Sequence, residues 1–192
     1  HRSYRIYRNE NKINKFNFIQ VPIDKSASKS ESNFICVYLL NARSVCNKSH
    51  DICDLIVDND IDVLLITETW LSSADDVVLG ELTPAGYRVL HVPRKGRKRG
   101  GGVGIVCKES LKIELQKSDK YESFEHIEAL MKTGNDCIRL LTMYRPPSSG
   151  KSGKPTSVFL DEFADYMDSH STTSGRMLLC GDLNFHVDDS TN

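Results

Sequence analysis

The apolar positions of this chain fall into near-continuous runs and helical stripes. Phe34-Ile35-Cys36-Val37-Tyr38-Leu39-Leu40 has almost no polar interruption, the pattern of a strand covered on both faces. Ile61-Asp62-Val63-Leu64-Leu65-Ile66 and Met177-Leu178-Leu179-Cys180 read the same way. Between the first two, Ile52, Leu55 and Ile56 recur at i, i+3 and i+4, which predicts a helix over about 48–59 with Ser49 as its cap. Strand, short helix, strand is a parallel crossover, and it brings both strand ends to one edge of a sheet. Further along, 87–92 and 103–107 predict a strand pair. Residues 128–131 and 138–143 predict a hairpin turning at 133–136. A helix over 158–170 would carry Phe159, Phe163, Tyr166 and Met167 on one face. Residues 1–31 are polar and aperiodic, which predicts a disordered or foreign extension ahead of a domain spanning 32–192.

Four of the apolar strands end in polar groups: Asn41, Glu68, Tyr144, and Asp182 with Asn184. Taken singly, each is an ordinary turn residue, helix cap or core-edge aromatic. Their joint placement at strand ends is the signal, because sites of layered α/β proteins gather there. Asp182 and Asn184 alternate past a strand and so point the same way, an arrangement that suits a hard cation such as Mg²⁺ engaging a phosphate. The stretch Gly181-Asp182-Leu183-Asn184-Phe185-His186 is the most telling in the chain, and only six residues follow it.

Charge and cysteine usage sharpen the picture. Residues 1–31 carry seven Lys/Arg against three Asp/Glu, while the remainder carries 18 against 23, so a net charge of −1 hides a basic arm on a mildly acidic body. Either nucleic-acid contact or plain solvation accounts for the arm. Arg94, Lys95, Arg97, Lys98 and Arg99 cluster on a predicted hairpin tip; phosphate tracking, nuclear import and a solvated loop all fit. The six cysteines show no metal-ligand spacing and read as reduced thiols, pointing to an intracellular, reducing compartment, the nucleus included. No apolar run approaches the length of a membrane span, and no secretory leader is legible. Gly150-Lys151-Ser152 is not a phosphate-binding P-loop, because position 145 is Arg where the pattern needs Gly.

In order, the segments NARSV from Asn41, ITETW ending at Trp70, RGGGVGI over 99–105, YRPP over 144–147 and GDLNFH over 181–186 resemble the endonuclease/exonuclease/phosphatase superfamily. The closest likeness is to the apurinic-type endonuclease domain of LINE-type non-LTR retrotransposons, which accompanies a reverse transcriptase. The likeness covers about 33–192. It implies a four-layer α/β/β/α sandwich of the deoxyribonuclease I type, and Mg²⁺-dependent cleavage of DNA, with Mn²⁺ an alternative ion. It further implies Glu68 as metal ligand, Asn41 as holder of metal or phosphate, and Tyr144 as phosphate hydrogen-bond donor. Asp182 would activate water, and Asn184 would stabilise charge on phosphorus. DNA is the implied partner, with a monomer expected, no obligate protein partner and no membrane. The family's later Ser-Asp-His segment has no counterpart among these residues. The fold is therefore expected to be incomplete at its C-terminus and the chain inactive by itself, with His186 reading as a surface or packing histidine rather than a substitute. The alternatives are a non-catalytic remnant that binds metal or DNA, and a superfamily phosphatase or exonuclease acting on another phosphoester.

Overall fold

Residues 34–41 do form a strand, β3 (Phe34–Asn41), and it lies at the centre of the molecule. The computed structural model describes residues 6–9, 16–23, 34–96, 100–116, 120–134, 136–149 and 153–185. β3 runs through helix α1 (Ser49–Asp58) into β4 (Val63–Thr67), and the two strands pair in parallel with Asn41 opposite Thr67. All five residues of β4 are buried. Val63 and Leu65 face one core while Leu64 and Ile66 face another, as alternation on a doubly covered strand requires.

After β4 come a short helix, α2 (Asp76–Glu81), and the antiparallel pair β5 (Tyr87–Val92) and β6 (Val103–Lys108). With β1 (Ile6–Asn9) and β2 (Phe16–Pro22) they complete a six-stranded sheet in the order β1-β2-β3-β4-β6-β5. A second sheet, β10-β9-β8-β7, contains β7 (Lys112–Gln116), β8 (Glu125–Thr133), β9 (Asp136–Tyr144) and β10 (Arg176–Asp182). Helix α3 (Thr156–His170) makes the crossover from β9 to the parallel strand β10.

Three apolar cores fix the layering. Val37, Leu65 and Ile105 of the first sheet meet Ile127, Met131 and Leu140 of the second. Ile52 and Ile56 of α1 pack on Leu64 and Ile66 outside the first sheet. Phe159 and Tyr166 of α3 pack on Leu141 and Met143 outside the second. The result is helix, sheet, sheet, helix, the four-layer sandwich expected from sequence.

Several local expectations are corrected. Ile6–Asn9 and Phe16–Pro22 lie in the stretch expected to be disordered, yet they extend the first sheet: β2 pairs with β3 over six residue pairs, and Val21 is buried in the central core. A polar, aperiodic stretch can still add strands to an edge, where backbone hydrogen bonds supply the pairing. Ser49 does not cap α1. It lies inside the first turn and donates to Glu81 Oε2 at 3.1 Å, while Lys48 stands at the cap position with its side chain bonded to Ala42 O rather than capping the helix. Met167 is exposed although Phe159, Phe163 and Tyr166 pack inward. At about 100° per residue, position 167 falls off the edge of a stripe centred between 159 and 163.

Candidate active site

Two parallel crossovers deliver the motif residues to one rim. In the first sheet Asn41 ends β3 opposite Thr67, and Glu68 is the next residue. In the second sheet Asp182 ends β10 opposite Tyr144, the last residue of β9. One amide ties the sheets together: Asn41 Nδ2 donates to Glu68 Oε1 at 2.9 Å and to Asp182 Oδ2 at 2.6 Å. Two carboxylates thus converge on one carboxamide. Among the described residues no group of three or more His, Cys, Asp and Glu could hold a metal ion, so any cation here would rest on this acid–acid–amide set. Oxygen donors of that kind are what Mg²⁺ takes, usually with one or two carboxylates and the rest water.

The backbone around the set is strained. Among the described residues six non-glycine residues have left-handed φ, and five of them lie in these strand-end loops: Arg43, Ser44, Glu68, Trp70 and Asn184. Such conformations cost on the order of 1–3 kcal/mol each and persist only where the surroundings enforce them. The enforcement is visible. Ser44 N donates to Glu68 O at 2.8 Å, Val45 N to Thr69 O at 3.1 Å, and Trp70 N to Gly101 O at 2.8 Å. The loop over 67–70 is held on one side by 42–45 and on the other by the glycines. Gly102, at φ 82°, has to be glycine, because a Cβ would run into Thr69 Oγ1. Trp70 closes the loop by donating from Nε1 to Glu68 Oε2 at 3.2 Å, so the chain's single Trp reads directly on Glu68.

Asp182 is fixed through both oxygens, with Oδ1 accepting from Asn184 N at 3.1 Å. Asn184 commits one of its two amide donors to Arg145 O at 2.6 Å. Arg145 was not anticipated, since an Arg at a strand end ordinarily reads as solvated. It is 2% exposed, lies over the Phe159 and Phe185 rings, and donates to Thr156 Oγ1 at 2.8 Å. Its backbone N bonds Asp182 O at 2.9 Å, so it buttresses the rim from behind.

Tyr144 is buried, and its phenol is pushed up to about 12 by that burial and then by the Glu68 charge, against the pull of Arg94. It stays a protonated donor throughout the ordinary pH range. Arg94 corrects the expectation of five cations on an exposed tip. Its side chain is only 11% exposed, it pairs with Glu125, and it lies over the Tyr144 ring at 5.7 Å. Lys95 is exposed, whereas Arg97, Lys98, Arg99 and His186 lie outside the described residues. Glu125 was missed entirely. Burial raises its carboxyl, and Oε2 accepts from Gly102 N at 2.5 Å. The one sequence signal for it is that it starts a strand whose inward positions are otherwise apolar. His91, also unanticipated, meets Thr69 Oγ1 at 3.0 Å and is pushed down to about 4 by burial.

The family model for the endonuclease/exonuclease/phosphatase family matches residues 33–192. The chain belongs to that family. No curated protein matches it. Solved structures place family members on the same fold. The endonuclease domain of TRAS1, a telomere-specific non-LTR retrotransposon, superposes with a TM-score of 0.56 at 15% identity, over 79% of this chain and 60% of that one. An AP endonuclease from Archaeoglobus fulgidus gives 0.53 at 20% identity, over 77% and 56%. D. rerio TDP2 complexed with single strand DNA product gives 0.56 at 14%, over 79% and 61%. The chain therefore spans between about half and two-thirds of these structures' lengths.

Proposed function

We propose that this chain carries the metal- and phosphate-holding rim of a Mg²⁺-dependent DNA endonuclease of the retrotransposon type. The observation that carries the reading is the Asn41 amide joining Glu68 of one sheet to Asp182 of the other. Two carboxylates gathered on one carboxamide make an oxygen-rich rim of the kind that a divalent ion takes. Glu68 and Asn41 would hold the ion, which supplies positive charge to the phosphate oxygens. Mn²⁺ would satisfy the same oxygen donors. Asp182, anchored through both oxygens, is placed to take a proton from an attacking water. The Tyr144 phenol, kept protonated, donates to a phosphate oxygen, and the remaining Asn184 amide donor serves charge growing on phosphorus. The ordered series of five motifs spelled as in non-LTR elements favours DNA over other phosphoesters, and the likeness to structures named for DNA endonucleases accords with it. Six free cysteines fit an intracellular, reducing setting such as the nucleus.

Titration calorimetry with Mg²⁺ and Mn²⁺ tests the reading. A weak binding heat in the wild type that is absent in Glu68→Gln is expected; equal heats in the two proteins would remove Glu68 from the site. Nicking of supercoiled plasmid supplies the second readout. A Mg²⁺-dependent nick that vanishes in Asp182→Asn would show that the residues present suffice.

A further inference from the structure

Tyr144 has a competitor for its proton. Glu125 begins β8 directly opposite Tyr144 on β9, and its charge is felt at the phenol. A carboxylate that close to a phenol ordinarily takes its hydrogen bond, because charge-assisted bonds are the strong ones. At Glu125 each oxygen already accepts one bond, Oε1 from Arg94 Nε and Oε2 from Gly102 N, and the guanidinium offsets its charge, which makes it a weaker acceptor for the phenol. Arg94 meanwhile lies over the phenol ring, with its guanidinium carbon 5.7 Å from the ring centroid. A guanidinium only donates, so it offers the phenol proton no acceptor and neutralises the one carboxylate opposite it.

We propose that Arg94 is a positioning residue for the proposed reaction: by pairing with Glu125 while lying over the Tyr144 ring, it keeps the phenol proton away from Glu125 and available to a phosphate. The inference rests on the reading of Tyr144 as a phosphate donor. It also gives the loop after β5 a second task. The first cation of the basic run is drawn inward to set the polarity of the site.

The test labels the seven tyrosines at Cζ with ¹³C and assigns Tyr144 by its loss in Tyr144→Phe. In Arg94→Met the Tyr144 resonance is expected to shift as the phenol turns to Glu125, with the other tyrosines unmoved. The double variant Arg94→Met/Glu125→Leu, which removes the competitor, is expected to return it toward the wild-type position. A purely structural role for Arg94 gives no such rescue, because the second substitution then only adds damage. Where Arg94→Met does not fold, Arg94→Lys keeps the charge but loses the planar fork, and the same resonance decides. Against DNA in Mg²⁺, Arg94→Met is expected to lower kcat about a hundredfold with KM within a few-fold, the cost of a misplaced donor. An unmoved Tyr144 resonance, or no rescue in the double variant, overturns the inference. A shifted and rescued resonance in a protein whose wild type neither binds Mg²⁺ nor cuts DNA upholds the proton switch and removes the proposed function instead.

Discussion

Strand β8 carries two glutamates, Glu125 and Glu128, three residues apart and therefore on opposite faces. Each pairs with an arginine and stands beside a tyrosine, yet the outcomes differ. On the outer face Glu128 pairs with Arg139, and its Oε2 accepts from Tyr166 OH at 2.8 Å and meets His170 Nε2 at 3.2 Å. The tyrosine gives its proton to the carboxylate, and burial with that bond drives its titration far upward. The network is built under α3, which supplies both Tyr166 and His170. On the rim Glu125 spends its second oxygen on the Gly102 amide rather than on a phenol, and the Tyr144 phenol is felt by the Glu68 charge instead. The same three residue types make a clamped phenol in one place and, in the other, a phenol outside the hydrogen bonds that its carboxylate neighbour accepts from Arg94 and Gly102. The difference lies in which donor fills one carboxylate oxygen, and that depends on a glycine loop whose own backbone is held by Thr69 and Trp70.

The largest separation between the two faces should appear in metal binding. Removing the amide in Asn41→Ala, or the carboxylate in Glu68→Gln, is expected to weaken Mg²⁺ by at least about 10–100-fold, the range seen when groups that orient a metal's ligands are removed. Trp70 fluorescence reports it, since the indole N–H lies on Glu68 Oε2. Substituting Tyr166 should leave that signal unchanged. A Tyr166→Phe protein that lost the Mg²⁺ response would show the two faces to be one unit.

Stability should separate them in the opposite sense. Tyr166→Phe leaves a buried carboxylate short of a donor and is expected to cost about 1–3 kcal/mol. For a chain of this size that is roughly 2–4 °C of melting temperature per kcal/mol. Tyr144→Phe removes a phenol that no carboxylate depends on, and is expected to cost well under 1 kcal/mol. Melting curves of the two variants, recorded side by side, check it; equal losses would erase the distinction drawn between clamp and donor.

Much of this architecture was legible from hydrophobic pattern. The runs through β3, β4 and β10 are continuous because both faces are covered, and the spacing of Ile52 and Ile56 gave α1. Asn41, Glu68, Tyr144 and Asp182 were legible because crossover topology alone sends strand ends to one rim. What was not legible had no local signal. β1 and β2 are held by pairing along an edge, β7 alternates over only five residues, and α2 buries none of its residues. Glu125 and Arg145 look like surface charges until their partners arrive from other parts of the chain: Arg94 for the first, Phe159 and Phe185 for the second. The inward turn of Arg94 is a tertiary choice of the same kind, since nothing nearby in the sequence separates it from Lys95.

Acid should reach the rim through His91. Its folded-state titration lies near 4, below the unfolded value of about 6.5, because burial disfavours the cation. The unfolded chain thus binds the proton first. The contribution is fully present above about pH 6.5 and is lost as pH falls through that value toward 4. Partial exposure limits the effect to on the order of 1 kcal/mol. Denaturant unfolding at pH 7 and pH 4.5 should show a smaller fall for His91→Gln than for the wild type. An equal fall would place the acid sensitivity elsewhere.

The smallest effect concerns the cation left outside when Arg94 turns in. Lys95 is exposed, adjoins the basic run and lies on the loop that carries Gly102 back to the rim. If that loop meets DNA through phosphates, each contact contributes about 0.9 to the slope of log affinity against log salt. Lys95→Ala should therefore flatten the slope by about one unit at most and weaken all sequences alike. Replacing Arg97, Lys98 and Arg99 together should flatten it further. Arg94→Met should leave the salt slope unchanged while moving the Tyr144 resonance, because an ion-paired guanidinium releases no counterion when DNA arrives. A slope that falls as much for Arg94→Met as for Lys95→Ala would mean that the guanidinium leaves Glu125 to meet a phosphate, and Glu125 would then be poised to capture the Tyr144 proton whenever DNA is bound.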